Sequence, residues 1–186
     1  SMALSGNVKP VVASRLSYLM DFRGPSMIID TACSSSLVAI HTACRAIRNN
    51  ECEMAIVGGS QIHLMPVKAA KIGVESTDGR AKTFDDSSDG TGTGEGIVAM
   101  LIKPLWKAQK DGDNIYAVIK GSASNHDGNS NGLTAPSATA QEDVIVRAWE
   151  DAGVSAESVT YIEAHGTGTK LGDPIEIDGI QRAFRT

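Results

Sequence analysis

Short apolar segments alternate with amphipathic segments along the chain, and this alternation limits the fold more than any other feature. We predict buried strands at residues 26–30, 54–57, 97–102, 115–119 and 159–163. Gly58 and Gly59 are expected to end the second of these strands. Helices are predicted at residues 8–20, 37–47, 141–152 and 174–184. Near-continuous apolar strands between helices indicate an α/β protein whose sheet is buried on both faces.

Length, charge and cysteine content exclude several classes of protein. The 186 residues suffice for one domain with a core, and the net charge of −5 argues against a nucleic-acid-binding protein. No apolar run reaches the ~18 residues that a membrane span needs, and we expect no secretory signal. Cys33, Cys44 and Cys52 form neither a CxxC pair nor an even disulfide framework. This pattern favours reduced thiols in the cytoplasm and no metal site.

A long polar segment at residues 66–96 interrupts the alternation. It contains several glycines and aspartates and no periodic apolar pattern, so we predict a loop. Loops of this length within a compact domain are often functional or lie at an interface. A solvated connection between two parts of the sheet is an equally good interpretation.

The residues around Cys33 are typical of a nucleophile at a strand-to-helix turn. A predicted strand ends at Asp30, and small residues lead through Cys33 into the predicted helix at residues 37–47. Free N–H groups and the helix dipole at such a position favour an anionic sulfur. A buried structural cysteine is the alternative interpretation, because free cysteines are commonly buried.

The residues around His165 form a second candidate site. His165 follows a predicted strand at residues 159–163, and the ends of strands are where sheet enzymes place their chemistry. Gly166 and Gly168 let the backbone approach a ligand closely, while Thr167 and Thr169 offer hydroxyl groups. A histidine in a glycine-rich turn without a ligand is the alternative.

Taken together, the two segments resemble the signature pair of the β-ketoacyl synthases. Residues 30–36 read DTACSSS and resemble the active-site motif of that family, and residues 163–169 read EAHGTGT and resemble its histidine motif. Other segments similar to the family lie at residues 76–85, 89–96, 125–128, 133–136 and 172–176. The resemblance covers essentially the whole chain and is strongest to the ketosynthases of modular type I polyketide synthases.

This resemblance implies a fold and a division of the chain. The fold is the thiolase-like α/β fold, with layers in the order α-β-α-β-α, here incomplete. Residues 3–105 would form the end of its N-terminal half, and residues 114–186 the start of its C-terminal half.

The resemblance also implies roles for four residues. Cys33 would accept the acyl chain as a thioester, with its backbone N–H contributing to an oxyanion hole. His165 would assist decarboxylation of a malonyl-type extender and stabilise the resulting enolate. Thr167 and Thr169 match positions that contact the phosphopantetheine arm of an acyl carrier protein.

The family's second catalytic histidine belongs to a motif of the form KSNxGH, which does not occur in these 186 residues. None of the other histidines, His41, His63 and His126, matches that motif. We therefore expect an incomplete enzyme that is inactive alone and that associates with itself.

The function implied is decarboxylative Claisen condensation of carrier-bound thioesters, with no metal and no diffusible cofactor. Expected partners are the acyl carrier protein, a second copy in a homodimer and neighbouring polyketide synthase domains, but no nucleic acid or membrane. Three alternatives remain: the equivalent domain of a fatty acid synthase, a degradative thiolase, and a non-catalytic fragment that binds carrier protein or dimerises.

Overall fold

The computed structural model describes residues 8–63, 73–132 and 134–186, which fall into two compact units. The first unit combines the residues up to Ser60 with residues 96–118, and the second combines residues 61–95 with residues 119–186. Part of the predicted loop, residues 66–72, and Leu133 of one family-like segment lie outside the described residues.

The described residues of the first unit include three α-helices: α1 (Lys9–Met20), α2 (Ser35–Arg48) and α3 (Leu105–Asp111). The first two confirm predicted helices, and a single 3₁₀ turn at Ala32–Ser34 leads directly into α2. Helix α3 was not predicted; it has seven residues, follows Pro104 and is capped at its C-terminus by Gly112 in the left-handed conformation. So short a helix carries too few periodic positions to be recognised.

The sheet of the first unit has two paired strands, β1 (Ala55–Gln61) and β2 (Gly96–Ile102). Both were predicted, but the expectation that Gly58 and Gly59 end β1 is wrong, since the strand continues through them. A Cβ atom on Gly59 would lie 2.6 Å from the hydroxyl oxygen of Ser36 in α2. Glycine at this position therefore permits close approach of α2 rather than ending the strand.

Three predicted strands are absent from the described part of the chain. Residues 26–30, 115–119 and 159–163 form no hydrogen-bonded ladder. A strand exists only through hydrogen bonds to a neighbouring strand, and no described segment pairs with these three. These segments are apolar, as a buried strand requires, but the prediction also required a partner strand for each.

The expectation of a sheet buried on both faces is wrong for this chain by itself. Ile97 is 71% exposed and Leu101 65% exposed, both in β2. The total accessible surface is 13901 Å², against about 8,500 Å² for a folded monomer of this mass. Apolar strand surface of this kind needs a covering layer, and these residues alone do not supply it.

In the part of the second unit that the structure describes, two α-helices pack against each other, α4 (Ala138–Ala152) and α5 (Gly172–Ala183). Both were predicted. The hydroxyl of Ser137 caps α4 by accepting the N–H of Ala140, and the rings of Trp149 and Phe184 meet edge to face at 5.0 Å. No described helix is long and apolar enough to cross a membrane.

Candidate active site

Cys33 lies exposed in the 3₁₀ turn immediately before α2. The turn is held by hydrogen bonds around it: the Thr31 N–H donates to Ser35 Oγ at 2.9 Å, and that hydroxyl donates to the Ala32 carbonyl at 2.6 Å. Ala32 has φ +55°, a left-handed conformation that is uncommon for alanine. The turn thus presents the Cys33 sulfur to solvent at the start of a helix.

The backbone N–H of Cys33 is also available. No described residue accepts a hydrogen bond from it, whereas neighbouring polar groups are paired. Asp30, at the entry to the turn, accepts hydrogen bonds from Lys9 Nζ at 3.0 Å and from the Ala32 N–H. These hydrogen bonds and the Lys9 charge lower the pKa of Asp30 below its usual value. A free N–H beside an exposed thiol is one of the donors that an oxyanion hole uses.

His165 occupies a turn whose backbone is fixed by a carboxylate from α5. The N–H groups of His165 and Gly166 donate to the two oxygens of Glu176, at 2.6 and 2.8 Å. His165 itself is exposed. The backbone is therefore constrained, while the imidazole remains accessible to a ligand.

A second carboxylate of α5, that of Asp173, holds the same turn at Gly168, three residues after His165. One of its oxygens accepts the Gly168 N–H at 3.0 Å, and the other accepts the Phe84 N–H at 2.8 Å. Asp173 is only 6% exposed, so these hydrogen bonds compensate for removing its charge from water. Neither Asp173 nor Glu176 was assigned a role from sequence, although the family-like segment at 172–176 contains both.

Thr167 and Thr169 are half-buried, and their hydroxyl oxygens lie 2.9 Å apart. Thr169 Oγ1 also accepts the N–H of Gly172 at 3.0 Å. One hydroxyl proton is used between the two threonines, which leaves the other free to donate to a ligand.

The described part of the predicted loop, residues 73–95, contacts the His165 turn. The hydroxyl of Thr83 donates to the Gly166 carbonyl at 2.6 Å, and the N–H of Gly90 donates to the Gly168 carbonyl at 3.0 Å. Ser88 donates its hydroxyl to the same Gly168 carbonyl. Of the two interpretations of this loop, these contacts favour the functional one.

A pocket of about 330 Å³ lies where the loop meets the turn. Thr83 and Phe84 line one part of it, and residues 162–166 line the rest. His165 therefore borders a space that can hold part of a substrate. Cys33 belongs to the first unit and His165 to the second.

The carboxylate of Asp89 joins the beginning of the loop to its end. Its carboxylate accepts the N–H and the hydroxyl of Thr77, at 3.1 and 2.5 Å, and Lys82 Nζ at 3.2 Å. The Thr77 hydroxyl, the Thr77 N–H and Lys82, in that order, lower the pKa of Asp89 to about 2. The carboxylate is therefore ionised at any pH well above 2.

The lowered pKa of Asp89 predicts how its contribution to stability varies with pH. A carboxyl group with a folded-state pKa of about 2 and an ordinary value of 3.8 stabilises the fold above pH 3.8, and this stabilisation is lost as the pH falls towards 2. We expect Asp89→Asn to lower the thermal unfolding midpoint at neutral pH and the difference from the parent protein to shrink below pH 4. Thermal scans between pH 2 and 7 on both proteins measure this, and a difference independent of pH would contradict it.

The other histidines match no catalytic motif. Nδ1 of His126 accepts the N–H of Gly128 at 2.9 Å within a turn. The backbone N–H of His63 donates to Glu95 at 2.5 Å, and its imidazole Nε2 is buried without a hydrogen-bond partner among the described residues. His41 lies within α2. Among the described residues, no group of three or more His, Cys, Asp or Glu side chains is arranged to hold a metal ion.

Two family models match the chain from end to end. The β-ketoacyl synthase N-terminal domain matches residues 1–108, and the β-ketoacyl synthase C-terminal domain matches residues 116–186. The chain belongs to the β-ketoacyl synthase family. The resemblance predicted from the DTACSSS and EAHGTGT segments is thereby confirmed.

Within this family the chain is similar to ketosynthases of modular polyketide synthases. It is 52% identical over 176 residues to polyketide synthase PksM of Bacillus subtilis, covering 93% of this chain and 4% of PksM. It is 47% identical, with a TM-score of 0.91, to the oxazolomycin ketosynthase domain OzmH KS7 of Streptomyces albus, covering 95% of this chain and 31% of that one. The module 6 ketosynthase of the B. subtilis bacillaene synthase is 44% identical, with a TM-score of 0.92, over 97% of this chain and 33% of that one.

These similarities confirm the predicted α/β thiolase-like fold, of which this chain forms part. The chain spans about a third of the solved ketosynthase chains and a few per cent of the multidomain synthases. The exposed strand surface described above is consistent with this partial span.

Proposed function

We propose that the protein containing this chain is a ketosynthase of a modular polyketide synthase. It would catalyse decarboxylative Claisen condensation between an acyl thioester held on Cys33 and a malonyl-type thioester on a carrier protein. The observation that carries the proposal is the exposed Cys33 thiol in a strained turn at the start of α2, beside an unpaired backbone N–H. Its support from similarity is the 44–47% identity to solved ketosynthases.

Cys33 is proposed as the nucleophile that holds the acyl chain. Its sulfur attacks the carbonyl carbon of the acyl thioester, and the carrier's pantetheine thiol leaves with a proton. The resulting tetrahedral oxyanion is stabilised by the Cys33 N–H, which has no competing acceptor among the described residues. The exposed sulfur makes this attack sterically possible.

His165 is proposed to act in the second half of the reaction. The malonyl carboxylate leaves as CO₂, and its bonding electrons form an enolate whose oxygen accepts a hydrogen bond from the imidazole. The enolate carbon then attacks the Cys33 thioester and releases the thiolate. Glu176 holds the backbone of His165 in place, and the imidazole is exposed. This arrangement supports the role, because the backbone is positioned while the side chain stays free to contact the substrate.

The phosphopantetheine arm fits the residues present. Such an arm carries amide carbonyls, which accept hydrogen bonds, and delivers the thioester to the pocket. Thr167 and Thr169 together retain one free hydroxyl proton close to His165. We propose that this pair binds the arm and that no other cofactor or metal is required.

Further components of the proposal concern the whole protein. Its partners would be an acyl carrier protein, neighbouring polyketide synthase domains and a second copy of the ketosynthase, paired through the region of β1, and its location would be cytoplasmic. Residues 3–105 and 114–186 would belong to the two halves of the thiolase-like fold. The second catalytic histidine would come from the remainder of the parent domain, so that the 186 residues alone are inactive.

The three alternative functions differ in what they require of the sequence and of the reaction. The relatives described above are polyketide synthases, which does not favour a fatty acid synthase. A degradative thiolase would need a second cysteine as base, but Cys44 is buried and Cys52 is not part of a matching motif. A non-catalytic domain would bind carrier protein without forming product.

The experiment that tests the proposal is a condensation assay on the complete ketosynthase domain. We expect a β-ketoacyl product and CO₂ when the domain receives acyl-carrier and malonyl-carrier proteins. Carrier binding without either product would instead support the non-catalytic alternative.

A further inference from the structure

The His165 turn is held from two directions. On one side, α5 supplies Asp173 and Glu176, which accept the backbone N–H groups of the turn. On the other side, the loop at residues 77–91 supplies donors to the carbonyl groups of Gly166 and Gly168. The carboxylates of α5 thus pair the N–H groups of the turn, and the loop pairs its carbonyl groups.

The loop can perform this role only if its own shape is fixed. Asp89 joins its two ends by accepting two hydrogen bonds from Thr77, twelve positions earlier, and Lys82 adds an ion pair at 3.2 Å. The next residue, Gly90, donates its N–H to the Gly168 carbonyl. Asp89 is thus the residue directly before the one whose N–H contacts the turn.

The backbone segments around this contact are closely packed. A Cβ atom on Gly90 would lie 2.4 Å from the backbone carbon of Glu75, and one on Gly168 would lie 2.9 Å from the Gly90 carbonyl oxygen. Backbone packs directly on backbone, so a shift of residues 89–90 displaces Gly168 or breaks its hydrogen bond. Gly168 lies between Thr167 and Thr169, which then move with it.

We propose that Asp89 is a positioning residue for condensation, acting through the 77–91 loop on the turn that carries His165, Thr167 and Thr169. Asp89 touches no substrate in this account. It fixes Gly90 and Thr83, and these fix the backbone from which His165 and the two threonines project. The inference rests on the proposed function and extends it to a residue outside both signature motifs.

Losing this restraint should affect one step of the reaction more than the other. Acyl loading depends on Cys33, whose turn is held within the first unit by hydrogen bonds among residues 31–35. Condensation depends on the His165 turn. Since a displacement of about 1 Å can cost roughly 100-fold in rate, we expect Asp89→Ala to lower kcat for condensation by about 10- to 100-fold.

The experiment uses the complete ketosynthase domain with three substitutions: Asp89→Ala, Asp89→Asn and Asp86→Ala. Asp86 is an exposed aspartate of the same loop with no hydrogen-bond or ion-pair partner among the described residues, and it serves as the matched control. Acylation of Cys33 by an acyl thioester and condensation with malonyl-carrier protein are measured separately on each.

We expect loading to stay close to that of the parent in all three proteins. Condensation should fall in Asp89→Ala, recover in part in Asp89→Asn, whose amide oxygen still accepts from Thr77, and stay unchanged in Asp86→Ala. Parental condensation in Asp89→Ala, or equal loss of loading and condensation in both Asp89 variants, would overturn the inference. A parent domain that does not condense at all would instead refute the proposed function.

Discussion

Replacement of Cys33 by alanine in the complete domain is expected to abolish acyl loading and, with it, condensation. The thioester needs a nucleophilic atom at this position, and the turn before α2 places no second thiol beside it. Removal of a catalytic nucleophile costs several orders of magnitude, so we expect at least about a 1,000-fold loss. Intact-protein mass measured after incubation with an acyl thioester reports the loading step directly.

Cys52→Ala is the matched control for this prediction. Cys52 is a free thiol of intermediate exposure in the same unit, and its loss should leave loading unchanged. If Cys33→Ala still acquired one acyl group at the parental rate, another residue would hold the thioester and the nucleophile assignment would be wrong.

Replacement of His165 by alanine is expected to separate the two half-reactions. Loading should remain largely intact, because the proposed role of His165 lies at the enolate step and the Cys33 turn is held by its own hydrogen bonds. Condensation should fall by roughly 100- to 10,000-fold, the usual range for losing a group that transfers or shares a proton in the transition state. Loading and CO₂ release, followed separately, distinguish the two effects.

His126→Ala provides the matched histidine control. His126 is exposed and, among the described residues, bonds within its own turn alone, so its loss should alter neither half-reaction. Complete loss of loading in His165→Ala, comparable to that in Cys33→Ala, would contradict the proposed division of labour.

The sequence predicted the helices well because their hydrogen bonds are local. The periodicity of α2 and α4, together with Gly153 after α4, is visible within a few residues of each helix. Strands are different, since their hydrogen bonds join distant segments. The apolar segments at 26–30 and 159–163 were read as strands, yet neither has a partner among the described residues.

The site was predictable in its motifs but not in its contacts. Cys33 and His165 were identifiable because each lies in a segment whose residue types are typical of the family. The hydrogen bonds of Thr83 to Gly166 and of Phe84 to Asp173 join residues more than 80 positions apart. No local pattern encodes such a pairing, which is why the role of the predicted loop at residues 66–96 was left open between two interpretations.

The most direct test of the central claim is the site of acylation in the complete domain. The protein is incubated with an acyl thioester, digested, and the peptides containing Cys33, Cys44 and Cys52 are quantified by mass spectrometry. We expect an acyl group on Cys33 alone, since its thiol is exposed at the start of α2 while Cys44 is buried. Acylation of Cys44 or Cys52 at an equal or greater rate would contradict it.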